Sequence, residues 1–189
     1  MSRPAYVSQT LHDLGGAAWF GGSLMGAVGV NGAADTTDRE EKLSTAAAGW
    51  AKWSPFQVVA VAAHAVGGLG LVLANRDRVA QQKGVTANTV VKTLLTAAAV
   101  ATTAWSGVLG ARVGKEHVPV EGSTEPEGRT PYEVASSQQQ LKVLQWATPV
   151  LTGAIVALGA QQSQQQRPEP QAKGRLGRAK QAVRLKKAA

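Results

Sequence analysis

The chain has 189 residues, no cysteine and a formal net charge of +8, with 44% hydrophobic and only 17% charged residues. It therefore holds no disulfide framework and no thiolate metal site. The charged fraction lies below the roughly 25% usual in soluble domains, yet a mean hydropathy of -0.10 is low for a membrane protein.

The distribution of charge along the chain resolves this tension. Residues 14–34, 53–75, 93–111 and 143–166 carry no Asp, Glu, Lys or Arg, and the last run is apolar only to about Ala160. Each apolar stretch approaches the ~20 residues that a helix needs to cross a hydrocarbon core. A soluble four-helix bundle rich in Ala and Gly would need a polar face on every helix. Between Val58 and Ala74, only His64 suits water. The expected fold is all-α, an integral membrane four-helix bundle over residues 1–163. Its spans fall at about 14–34, 54–75, 93–111 and 143–161, and residues 164–189 form a polar linker and basic tail.

The first span follows Thr10-Leu11-His12-Asp13. This order places His12 at the mouth of the helix, with Asp13 as a first-turn acid. Ala18, Gly22 and Gly26 line one face at four-residue intervals, a spacing that lets helices approach closely. Gly32-Ala33-Ala34 has the small residues of a signal-peptidase site, but a single arginine and an aspartate make a poor leader, so the span is expected to be retained. The segment His12-Asp13-Leu14-Gly15-Gly16-Ala17-Ala18-Trp19-Phe20-Gly21-Gly22 resembles the H-x6-W-x-G-G opening of small bacterial four-span proteins of uncharacterised families. More distantly, it resembles the copper-resistance D type. The resemblance covers one helix and the four-span layout, and it implies a multi-pass protein of a bacterial plasma membrane. It brings no metal with it, because the chain lacks methionine-rich and histidine-rich segments and has only Met1 and Met25.

Thr37-Asp38-Arg39-Glu40 reads as a capping box opening a helical stretch from Glu41 to Trp53. Ser54-Pro55-Phe56-Gln57 combines a cap, a proline at the first helical position and Gln at N3, which starts the second span at Pro55. His64 lies about halfway along that span, where an ionisable group is costly and often functional. A neutral ring there needs partners, and Thr96, Thr102, Thr103, Thr148 and Thr152 on the later helices offer them. One reading is an interhelical hydrogen bond that holds spans together. The other is a proton relay, a quinone contact or a haem ligand. With His12 near the surface and His64 at mid-depth, the two rings are expected roughly 15 Å apart, too far for a shared haem.

The third span carries Ala98, Thr102, Ser106 and Gly110 on one face, a second small-residue packing surface. Residues 117–130, with Pro119, Gly122, Pro126 and Gly128, form a loop in which His117 is a solvated side chain. Thr130-Pro131-Tyr132-Glu133 opens the fourth helix well before its membrane part, and Pro149 is expected to kink it. The sequence contains no Walker pattern, HExxH, EF-hand loop or GxSxG. No catalytic residue, cofactor or metal is expected.

The tail opens with the glutamines 161–166 and Arg167-Pro168-Glu169-Pro170, a polar linker. Lys173, Arg175, Arg178, Lys180, Arg184, Lys186 and Lys187 follow, and each is drawn to an anionic leaflet by about 1 kcal/mol when near the surface. Tethering favours lipid or a cytoplasmic partner over nucleic acid. With both termini cytoplasmic, the inner side holds thirteen Lys and Arg and the outer side seven, which fits the positive-inside rule. Trp50, Trp53, Trp105 and Trp146 then fall toward the outer ends, as an aromatic belt would, and Trp19 toward the inner. These features together describe a structural or accessory membrane protein that packs with itself or with a membrane partner. The alternative is a redox or transport component using His64, with His12 as the other embedded candidate.

Overall fold

A computed structural model describes residues 3–76 and 83–165. The basic cluster from Lys173 to Lys187 lies outside the described residues. The chain divides into two units, Met1–Val156 and Ala157–Ala189. Of the second unit, the described residues are the helical ones that end at Gln165.

The described residues are all-helical apart from turns and one isolated bridge between Gly122 and Glu125. Helix α1 runs Arg3–Met25 and continues through a π-helical turn, Gly26–Val30, into a last turn, Asn31–Ala34. Helix α2 spans Lys42–Ala74, α3 Lys83–Val113 and α4 Tyr132–Gln165. Three helical segments are long and apolar enough to cross a membrane: Lys42–Ala74, Gly84–Val113 and Tyr132–Gln161. The charge-free run 14–34 lies in α1, whose N-terminal part includes Gln9, His12 and Asp13, and this helix does not reach that standard.

Several boundaries differ from those the sequence suggests. Helix α2 does not begin at Pro55 but runs through it. Proline removes the N–H that would bond the carbonyl four residues back, and here the Ser54 hydroxyl donates to that carbonyl, Ala51 O, at 3.1 Å. The stretch read as a separate helix and the second span are thus one rod. Thr37 does not cap it: its hydroxyl donates to Ala34 O at 2.8 Å and closes the preceding turn. Helix α4 starts at Tyr132, but Thr130 Oγ1 accepts from Glu127 N and donates to Pro119 O, so it organises the loop.

Two hydrophobic clusters hold the fold. Trp19, Ala60, Ala99 and Ile155, one from each long helix, are buried together. Leu43, Val113, Val120 and Val134 form a second cluster at one end, beneath the α3–α4 connection. Most of the apolar surface is not in either cluster. Val58, Val59, Val66, Leu69 and Leu73 of α2 are all more than 60% exposed, as are Leu94 of α3 and Val143 and Val150 of α4.

Candidate functional site

Helices α1 and α2 are antiparallel, and their closest approach is built on a motif that occurs once in each. His12-x2-Gly15-Gly16 in α1 is matched by His64-x2-Gly67-Gly68 in α2. A Cβ on Gly15 would lie 2.5 Å from His64 N and 2.6 Å from Ala60 O, and one on Gly67 would meet His12 N and lie 2.6 Å from Ser8 O. Only glycine lets the two backbones come this near. The second glycine of each pair lies under the opposite ring: a Cβ on Gly16 would be 3.1 Å from His64 Nδ1, and one on Gly68 3.1 Å from His12 Nδ1. The motifs are therefore related by a local two-fold axis between the helices.

Both histidines are buried. His12 Nδ1 donates to His64 O at 3.0 Å, and His64 Nδ1 donates to His12 O at 3.0 Å. The rings stack with centroids 4.0 Å apart and planes 22° from parallel. The expected separation of about half a membrane is thus overturned. Helix α1 begins at Arg3, so His12 is well inside it rather than at its mouth, and antiparallel pairing brings it level with His64. Asp13 is likewise no first-turn acid: its Oδ2 accepts from Gln9 Nε2 at 2.7 Å.

The reciprocal bonds fix the tautomer. A carbonyl only accepts, so both Nδ1 atoms carry hydrogen, and in a neutral ring Nε2 is then an unprotonated acceptor. The Thr96 hydroxyl approaches His64 Nε2 at 3.5 Å, the outer edge of hydrogen-bond range. Trp19, fully buried, sets its ring edge-on to His64 at 6.0 Å and donates Nε1–H to Thr103 Oγ1 at 3.1 Å. Of the other threonines, Thr148 donates to Thr102 Oγ1 at 3.1 Å, and Thr152 bonds its own helix at Thr148 O.

The small-residue faces divide. Gly22 and Gly26 lie against the indoles of Trp53 and Trp50, so this GxxxG seats tryptophans within the chain. Ala18 is exposed. On α3, Ala98 is exposed, Thr102 turns to Thr148, Ser106 Oγ is buried with no hydrogen bond, and Gly110 has no neighbour within 4 Å of a built Cβ.

A second polar group closes one end of the helices. Asn31 donates to Gln145 Oε1 at 2.8 Å and accepts from Trp50 Nε1 at 2.8 Å, while Gln145 Nε2 donates to Thr124 Oγ1 at 3.3 Å. Asp35 Oδ1 accepts from Ser123 N at 2.6 Å, and Lys42 Nζ donates to Asp35 O. Gln138 Nε2 donates to Gly122 O at 2.9 Å. The connection from 114 to 131 is thus a folded cap, pinned at its rim by Arg39 to Glu121 and Glu127 and by Lys142 to Glu125. His117 is exposed in it, and no group of three or more His, Cys, Asp or Glu side chains suited to a metal ion occurs among the described residues.

Compared with family models, with curated proteins and with solved structures, the chain gives no match.

Proposed function

We propose that this chain is a multi-pass integral protein of a bacterial plasma membrane, a four-span bundle with both termini cytoplasmic that serves as a structural or accessory component. The observation that carries this reading is the outward apolar surface of α2, α3 and α4: large aliphatic side chains on three helices face away from the protein, while polar side chains such as His64, Thr148 and Thr152 are buried. Apolar surface on this scale is hidden by lipid or by other protein. Helix α1 joins the bundle as a fourth span through its glycine contact with α2 and through Trp19 in the shared core. The basic tail then meets the anionic inner leaflet or a cytoplasmic partner.

The chain has no cysteine, so single-cysteine variants report topology without background. Thr36→Cys and Arg129→Cys should react with an impermeant maleimide on intact cells. Gly84→Cys and Gln171→Cys should react only after the membrane is opened. Extraction of the protein by alkaline carbonate, or the reverse labelling pattern, would refute the proposal.

The histidine pair favours a second reading, a transport or redox component working through His64 and His12. Stacked rings present faces to each other, whereas axial ligands point ring nitrogens at an iron from opposite sides. Of haem, quinone and proton handling, the stacked geometry fits the proton. Purified protein with no visible absorbance and no retained quinone, together with proton movement across vesicles that is lost in His64→Asn, would support this reading. Unchanged proton movement in that variant would end it.

A further inference from the structure

We propose that His12 and His64 form one proton-binding site that takes a single proton for the two rings, at Nε2 of either. The proposal rests on the second reading above, and sharpens it to an atom and a stoichiometry.

Both Nδ1–H groups are committed to backbone carbonyls, so neither ring can offer Nδ1 to an incoming proton. The vacant lone pair on each ring is at Nε2. Protonation adds H⁺, drawn from water, to that lone pair. The ring becomes an imidazolium, its Nδ1–H stays on the carbonyl, and no other bond forms or breaks. The helix contact therefore survives the first proton.

The second proton is a different matter. With stacked ring centres 4.0 Å apart, two imidazolium charges would face each other with no room for a water or counter-ion between them. At that separation, repulsion outside bulk water is strong. The groups around the pair set the balance. On α1, the Asp13 carboxylate acts favourably on an imidazolium in the pair; on α3, the Lys92 ammonium opposes it, and Thr96 adds a hydroxyl at His64 Nε2. Along the chain of α2 and just past its end, the nearest described charges are Lys52 and Arg76, twelve residues from His64 on either side. On α4, no Asp, Glu, Lys or Arg lies between Lys142 and Arg167. The carboxylate and the ammonium act on the pair with opposite signs, and only the second proton also meets the charge of the first.

The test uses the full chain with ¹⁵N-labelled histidine in bilayers, with the exposed His117 replaced by Gln so that two rings remain. Nitrogen shifts report tautomer and charge directly. At alkaline pH both rings should show hydrogen on Nδ1. On acidification, the summed charge of the two rings should rise to one and hold there while the helices stay folded. The decisive comparison is with His12→Asn and His64→Asn. The Asn amide places an N–H donor near where Nδ1 stood, so each variant retains a donor for the facing carbonyl. Each single variant should also take one proton, so removing a ring leaves the proton count unchanged. Rings that charge to a total of two, rings that stay neutral until unfolding, or hydrogen on Nε2 at alkaline pH would each overturn the proposal, and the wild-type measurement alone can do so. Loss of proton movement in vesicles with a count of two would sink the single-proton site and leave the transport reading standing.

Discussion

Replacing Gly67 by alanine isolates the α1–α2 contact. The new methyl would meet His12 N and lie 2.6 Å from Ser8 O and 2.8 Å from the His12 α-carbon, all main-chain atoms of the facing helix. Ordinary contact begins near 3.4 Å, and backbone cannot swing aside as a side-chain tip can, so the helices must part by roughly 0.8 Å or more. Two hydrogen bonds of 3.0 Å would then stretch past usable length. Overpacking costs about 1–3 kcal/mol, and stranding buried polar groups adds about 1–3 kcal/mol. The better helix propensity of alanine returns about 1 kcal/mol. A net loss of about 3 kcal/mol is expected for Gly67→Ala, and a similar loss for Gly15→Ala. Gly21→Ala and Gly107→Ala are the controls, because a Cβ at either finds nothing within 4 Å, and they should be neutral or slightly stabilising. Equilibrium unfolding in mixed micelles, followed by far-ultraviolet circular dichroism, measures all four. Gly67→Ala matching Gly21→Ala to within about 0.5 kcal/mol would refute the close-contact account.

Trp19→Phe removes the N–H donor to Thr103 from a fully buried position and should cost about 1–3 kcal/mol in the same assay. Asn31→Leu leaves Trp50 Nε1 without its acceptor and Gln145 Oε1 without its donor. It should cost a similar amount, about 1–3 kcal/mol, with a change in the near-ultraviolet tryptophan signal as the specific readout. Arg39→Ala breaks ion pairs to Glu121 and Glu127 at an exposed rim, so the loss should stay under about 1 kcal/mol and shrink in high salt.

The positions of the long apolar helices were legible because a charge-free run near twenty residues is a strong signal on its own. The continuity of α2 was not: Ser54-Pro55 reads as a start, and only the Ser54 hydroxyl on Ala51 O explains why the helix survives the proline. The cap was hidden for a different reason. Asp35, Gln138 and Asn31 are ordinary polar residues whose partners are 88, 16 and 114 residues away, and nothing local marks them. The histidine pair was within reach, since H-x2-G-G appears at both 12–16 and 64–68. The interval of 52 residues, with a reversal between the copies, is the signature of two helices meeting by the same face. Judging depth from the edge of the charge-free run misplaced His12, because a helix can extend well beyond the stretch that lacks charge.

The local two-fold between α1 and α2 bears on direction. In a bilayer, such an axis lies in the membrane plane, so the two motif copies enter from opposite sides and present equivalent atoms to each. A proton reaching His12 and one reaching His64 meet the same chemistry. The pair by itself is blind to inside and outside, and any preference must come from what breaks the symmetry around it. Asp13 has Ala65 as its counterpart and Trp19 has Leu71, and the third helix places Lys92 and Thr96 without a matching pair. Exchanging Asp13 and Ala65 would move the asymmetric charge to the other copy while leaving both rings and all four glycines in place.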